Sequence, residues 1–199
     1  MHEIKTYNVR NEWPRPSKTA LLVIDIQEYF LHMASPIICN IISLIESCRA
    51  KGIKIIYTRH GHKNPDDDAG MLLRWWGEVI KYGTSEWNLI KVINPLETEP
   101  IIDKNRYSAF MGTSLEEILK YRKIEDLIIT GVMTNCCCET TAREAFMKDY
   151  RVFFVADATA TMNEDLHIAS LKNLAFAFAY VVDTKGLCKH LENDGSAKI

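Results

Sequence analysis

The 199-residue sequence lacks an apolar run long enough to cross a membrane. Its longest, Leu174 to Val182, has nine residues, against the roughly 20 that a spanning helix needs. Basic clusters are missing too. With 24 Lys and Arg against 26 Asp and Glu the net charge is −2, so neither nucleic acid nor a membrane surface is an expected partner. Glycine-rich phosphate loops are also absent. The turn GVMTNC at 131–136 has one glycine where a dinucleotide fingerprint needs three, and no Walker motif occurs, so no cofactor is expected. The N-terminal MHEIKTYNVR is charged where a secretory signal would be apolar, which makes a cytoplasmic location the expectation. What the chain does have is 47% hydrophobic residues, enough for a sizeable core. It also has six cysteines, which in a reducing compartment are free thiols. Three are consecutive, at 136, 137 and 138, and lack the C-x-x-C spacing of a zinc or redox site.

Periodicity divides the chain into alternating strands and helices. Residues 1–18, with Pro14 and Pro16 around Arg15, read as an extended arm. Apolar runs at 19–25, 53–59, 126–132, 151–157 and 180–183 read as strands buried on both faces, and 101–104 as a shorter one. Helices are predicted from Pro36 to Lys51, near Leu115 to Arg122, from Thr134 to Lys148 and after the N-cap residue Asn163. Residues 61–100 give only a weak signal, with a short helix from about Met71. The tail 192–199 is polar. The economical architecture is one α/β domain over 19–191: a three-layer α/β/α, Rossmann-like fold with a mostly parallel, six-stranded sheet.

Ligands of such sheets bind beyond the carboxyl ends of the strands. Cys137 follows one strand at the first turn of a helix, where unpaired N–H groups and the macrodipole favour a thiolate. Position alone leaves two readings, a nucleophile or a small packed hydrophobe. Consecutive helical residues point about 100° apart, so at most one of the three thiols is expected to face a given pocket. Asp25 and Lys104 end two other strands. Each suits either proton transfer or a structural ion pair.

Three stretches, DIQEYF at 25–30, KNRYSAF at 104–110 and GVMTNCCCETTAREAF at 131–146, with DAT at 157–159 as a weaker echo, together resemble the isochorismatase-like cysteine hydrolase family. The resemblance covers roughly residues 18–183. The family pattern G-V-x-T-x-x-C-x-x-x-T-A selects Cys137 among its neighbours as nucleophile, and places Asp25 and Lys104 on the family's acid and lysine. It also implies a non-proline cis peptide near Val132–Met133, with the backbone N–H groups of Met133 and Cys137 forming an oxyanion hole. True isochorismatases share RYSAF but usually have glycine in place of Cys137, and their vinyl-ether hydrolysis needs an acid rather than a thiol. Nicotinamidases of the family bind a metal through an Asp-x-His pair and a further His. The corresponding stretch here, TRHGHKNPDDD, has no acid two residues before a His, so His60 and His62 are expected as solvated loop residues, 66–68 as a solvated acidic run, and no metal is expected.

The resemblance places Phe30, Tyr107, Trp75 and Trp76 at a substrate cavity, and Arg59 could grip a substrate carboxylate. The leading expectation is hydrolysis of a small amide by Cys137, Lys104 and Asp25. The alternatives are a vinyl-ether hydrolase that uses Asp25 alone, and a non-catalytic or redox-responsive small-molecule-binding protein. Relatives of this family are typically oligomeric, and a homo-dimer or tetramer is expected, with Met71 to Trp87 contributing to its interface.

Overall fold

The computed structural model describes residues 2–193. In chain order its elements are β1 (Thr19–Ile24), α1 (Leu31–Ala34), α2 (Ile38–Ala50), β2 (Lys54–His60), α3 (Pro65–Asp68), α4 (Met71–Trp76), β3 (Ile101–Lys104), α5 (Leu115–Tyr121), β4 (Asp126–Val132), α6 (Glu139–Met147), β5 (Arg151–Ala160), α7 (Glu164–Ala177), β6 (Tyr180–Val182) and α8 (Thr184–Asn193). The six strands form one sheet in the order β3-β2-β1-β4-β5-β6, and every pairing is parallel.

Strand side chains alternate between the two faces, so each strand feeds two cores. Leu22, Ile24, Leu127, Ile129, Val152 and Phe154 meet α5, α6 and α7 on one face. Leu21, Val23, Ile128, Phe153 and Val155 meet α2 and α8 on the other. Continuous apolar runs were therefore needed, and that is why the strands were legible. Helix ends follow local chemistry. The Asn163 side chain accepts the Leu166 N–H at 2.9 Å and caps α7, while Gly52, at φ +67, takes the left-handed position after α2. By length and composition the helical stretch Glu28–Ala50 could cross a membrane. Instead Ile37, Ile41, Leu44, Ile45 and Cys48 within it pack into the second core.

The first 18 residues differ from an extended arm, carrying short 3-10 turns at His2–Ile4 and Pro16–Lys18. They are pinned to the body. Ile4 is fully buried, and Arg15 grips the buried carboxylate of Asp126 through backbone N–H and guanidinium together, while Arg151 takes the same carboxylate from the other side. Of the polar tail, Glu192 and Asn193 finish α8 and residues 194–199 lie outside the described residues.

Gly131 fixes the spacing of β1 and β4. At φ +122 it sits so close to β1 that a Cβ would lie 2.0 Å from the Ile24 carbonyl oxygen, and the β4–β5 register shifts beside it. Gly131→Ala is expected to lower stability by about 3 kcal/mol or more, because backbone cannot yield as a side chain does. Urea denaturation checks this, and an unchanged midpoint would refute the contact.

Candidate active site

The strand order reverses between β1 and β4, where neighbouring chain ends diverge and leave a crevice beyond the carboxyl edge. Asp25 follows β1 at φ +51, a left-handed conformation that Asp tolerates better than most residues. Thr58 of β2 holds it there. Its hydroxyl donates to Asp25 Oδ1 at 2.6 Å, and its carbonyl accepts the Asp25 N–H at 3.2 Å. Lys104 is the last residue of β3 and lies in register with His60, the last of β2. After β4 the Val132–Met133 peptide is cis, and Thr134–Cys138 form a π-helical turn leading into α6. These four strand ends deliver Asp25, His60, Lys104 and Cys137 to one place.

Lys104 Nζ stands 2.6 Å from Asp25 Oδ2 and 3.4 Å from Cys137 Sγ, and donates to the Arg106 carbonyl at 3.1 Å. All three side chains of this trio are buried. Burial disfavours the ammonium, but Asp25 and then Cys137 outweigh it, and the Lys104 pKa is raised. For Cys137 burial wins. It pushes the thiol pKa up, Lys104 pulls it down and Asp25 pushes it up again. Removal from water in the π-turn thus opposes the thiolate that a helix terminus would favour, while Lys104 favours it. The His60 imidazole is lowered to about 3, first by burial and then by the Lys104 charge, with Asp25 opposing. It is neutral at physiological pH.

A cavity of about 440 Å³ opens onto this cluster. Phe30, Trp76, Tyr107, Met133 and Cys137, all expected there, line it, and Trp76 Nε1 donates to the Tyr107 hydroxyl at 2.8 Å across its edge. Trp75 does not line it and is 76% exposed. Arg59 is not in the cavity. Its guanidinium pairs with Asp103 at 2.9 Å and stacks 3.6 Å over the Trp87 ring, so the carboxylate it binds is its neighbour on β3. Two thiols rather than one reach the cavity, because Cys136 lines it beside Cys137; the π-turn does not impose the α-helical facing assumed from sequence. Trp87, 7% exposed, is part of the interior and not of an outer face.

A model of the isochorismatase domain matches residues 19–186. The chain belongs to the isochorismatase-like hydrolase family. It is 48% identical over 190 residues to nicotinamidase 3 of Arabidopsis thaliana, covering 94% of this chain and 96% of that protein. It is also 37% identical over 188 residues to an isochorismatase of Bacillus subtilis, covering 90% of this chain and 60% of that protein. A cysteine hydrolase from Pseudomonas syringae superposes with a TM-score of 0.87 at 28% identity, covering 92% of this chain and 96% of that one. As a member of this family the chain is a cysteine hydrolase acting on a small molecule, and the positions of the cluster and the cavity agree with that.

Within this isochorismatase-family site, His60 and His62 depart from the solvated loop foreseen for them. His60 is 9% exposed and His62 is fully buried, their rings meeting edge to face at 5.1 Å. Asp68 of the acidic run accepts from His62 Nδ1 at 2.9 Å and from the Lys63 N–H, so the run is partly spent on closing the loop. The metal set associated with nicotinamidases does not fit these residues. Two positions before His62 stands His60 and not an acid. Asp25, His60 and Cys137 do converge, with one donor atom of each within 4.8 Å of the others. Yet the Lys104 ammonium is already in contact with two of the three, and a divalent ion there would face its charge at short range. His60 and Cys136 lie at strand ends where ligands are expected, but sequence reasoning set them aside as a solvated loop residue and a packed thiol, and it missed Tyr29, Met33, Leu72 and Ile80 as cavity residues.

Proposed function

We propose that the chain is an amidase of the nicotinamidase type, hydrolysing a small planar primary carboxamide through a Cys137 thioester. The observation that carries this is the chain of contacts Asp25–Lys104–Cys137, with a thiol at the floor of an aromatic cavity. Asp25 takes the Sγ proton as the sulfur bonds to the amide carbon, since burial opposes ionisation of the thiol. The carbonyl oxygen gains the negative charge and is met by the N–H groups of Met133 and Cys137. Collapse breaks the C–N bond, Asp25 returns the proton to nitrogen, and ammonia leaves. Water, deprotonated by Asp25, then attacks the thioester carbon, the C–S bond breaks, and Asp25 passes the proton to the departing sulfur, so that the carboxylic acid is released and the thiol and the Asp25 carboxylate are restored.

The test uses nicotinamide as substrate. Ammonia release is expected, and a reaction quenched early should add the nicotinoyl mass to Cys137. The 37% identity to an isochorismatase and the shared RYSAF favour a second reading, in which Asp25 protonates a vinyl ether and Cys137 is a bystander. Isochorismate cleaved by the Cys137→Ala protein at near wild-type rate, with no amide turned over, would put that reading in place of the first.

A further inference from the structure

His60 is the buried polar group at the cavity that the acid, lysine and thiol leave unused. Gln27, itself fully buried, clamps its backbone, accepting the His60 N–H at 2.7 Å and donating to the His60 carbonyl at 2.9 Å. His62, tied to Asp68, packs against the ring. A side chain this firmly held ought to be fully hydrogen-bonded, yet His60 Nδ1 is buried without a partner. Lys104 does not supply one. The partners of its Nζ are Asp25, Cys137 and the Arg106 carbonyl.

One nitrogen of His60, one oxygen of Asp25 and Cys137 Sγ all lie within 4.8 Å of each other. Three atoms at that spacing can all be reached by one central atom at about 3 Å, ordinary hydrogen-bond distance. In amide hydrolysis one substrate atom must be near two of them at once. The leaving nitrogen is bonded to the carbon that sulfur attacks, and it must collect its proton from Asp25. We propose that His60 determines leaving-group specificity: its imidazole accepts one N–H of a primary carboxamide and so turns the nitrogen lone pair toward Asp25. This rests on the amidase reading above. A primary amide has one N–H for His60 and one to spare, an N-alkyl amide must put its single N–H on His60 with none to spare, and an ester oxygen has nothing to donate.

Three probes with a common acyl group separate the possibilities: nicotinamide, N-methylnicotinamide and methyl nicotinate. Wild-type enzyme is expected to prefer nicotinamide over its N-methyl derivative. His60→Ala should lower kcat/KM for nicotinamide about 100-fold, leave methyl nicotinate within about threefold, and shrink the preference against the N-methyl amide. His60→Gln, which keeps an acceptor, should recover part of the loss. Equal losses on amide and ester, or no loss on nicotinamide, would overturn the role given to His60 while leaving the amidase intact. A wild-type enzyme that cleaves the ester and neither amide would instead overturn the amidase reading, and the His60 proposal with it.

Discussion

Cys137→Ala is expected to reduce hydrolysis of nicotinamide by about 10⁴-fold or more, since losing the nucleophile of a cooperating group removes the covalent route altogether. Its neighbours should not behave this way. Cys138 is fully buried in the core with Ala142 and Ala145, and Cys138→Ser is expected to leave substantial activity. Cys136 touches the cavity and lies against Tyr107, yet it has no contact with Lys104, so Cys136→Ala should cost less than about tenfold. Steady-state ammonia release from the three variants decides the matter, with intact mass spectrometry after early quench as the second readout. A Cys136→Ala protein as dead as Cys137→Ala would mean that the reactive sulfur has been assigned one residue too late.

Removing the ammonium should be costly in two separable ways. Lys104→Met leaves Asp25 fully buried without its counter-charge, a change that typically destabilises by about 3–5 kcal/mol. Because the folded pKa of Lys104 is raised, its contribution to stability is fully present at neutral pH and is lost only as pH rises through that value, in strong alkali. The double variant Asp25→Asn/Lys104→Met should regain part of the loss, since it leaves no bare charge. Chemically, burial already holds the Cys137 thiol above its ordinary range and Lys104 is the main opposing influence. Alkylation of Cys137 by iodoacetamide at pH 8 should therefore slow by about tenfold or more in folded Lys104→Met. An unchanged alkylation rate would place the charge too far from the sulfur to matter, and an unchanged denaturation midpoint would contradict the buried pair.

The parts of the fold that were legible are those in which neighbouring residues carry the signal. Runs such as ALLVI and LIIT could only be strands buried on both faces, and Asn163 ahead of Glu164 and Asp165 marked a helix start without reference to anything distant. Asp25, Lys104 and Cys137 were found because three motifs in order resemble a family, whereas composition alone left each with a structural alternative. What failed depends on partners far along the chain. Arg59 was free to reach a ligand until strand register set it beside Asp103, and register is not written in either strand by itself. His60 and His62 sit in a stretch without periodicity, and their burial comes from Gln27, Ile80 and Trp87 closing over them. The π-turn at Thr134–Cys138 has no compositional mark, so the facing of Cys136 could not be deduced by counting along an ideal helix.

A sulfur held almost entirely out of solvent has a consequence for the chemistry of the surrounding solution. Peroxide and other two-electron oxidants attack the thiolate, and the cysteines that sense them combine a low pKa with open access. Cys137 has neither, being 6% exposed with its ionisation opposed by burial. Oxidants are therefore expected to reach the exposed thiol of Cys39 and the exposed thioethers of Met147 and Met162 before the sulfur of Cys137.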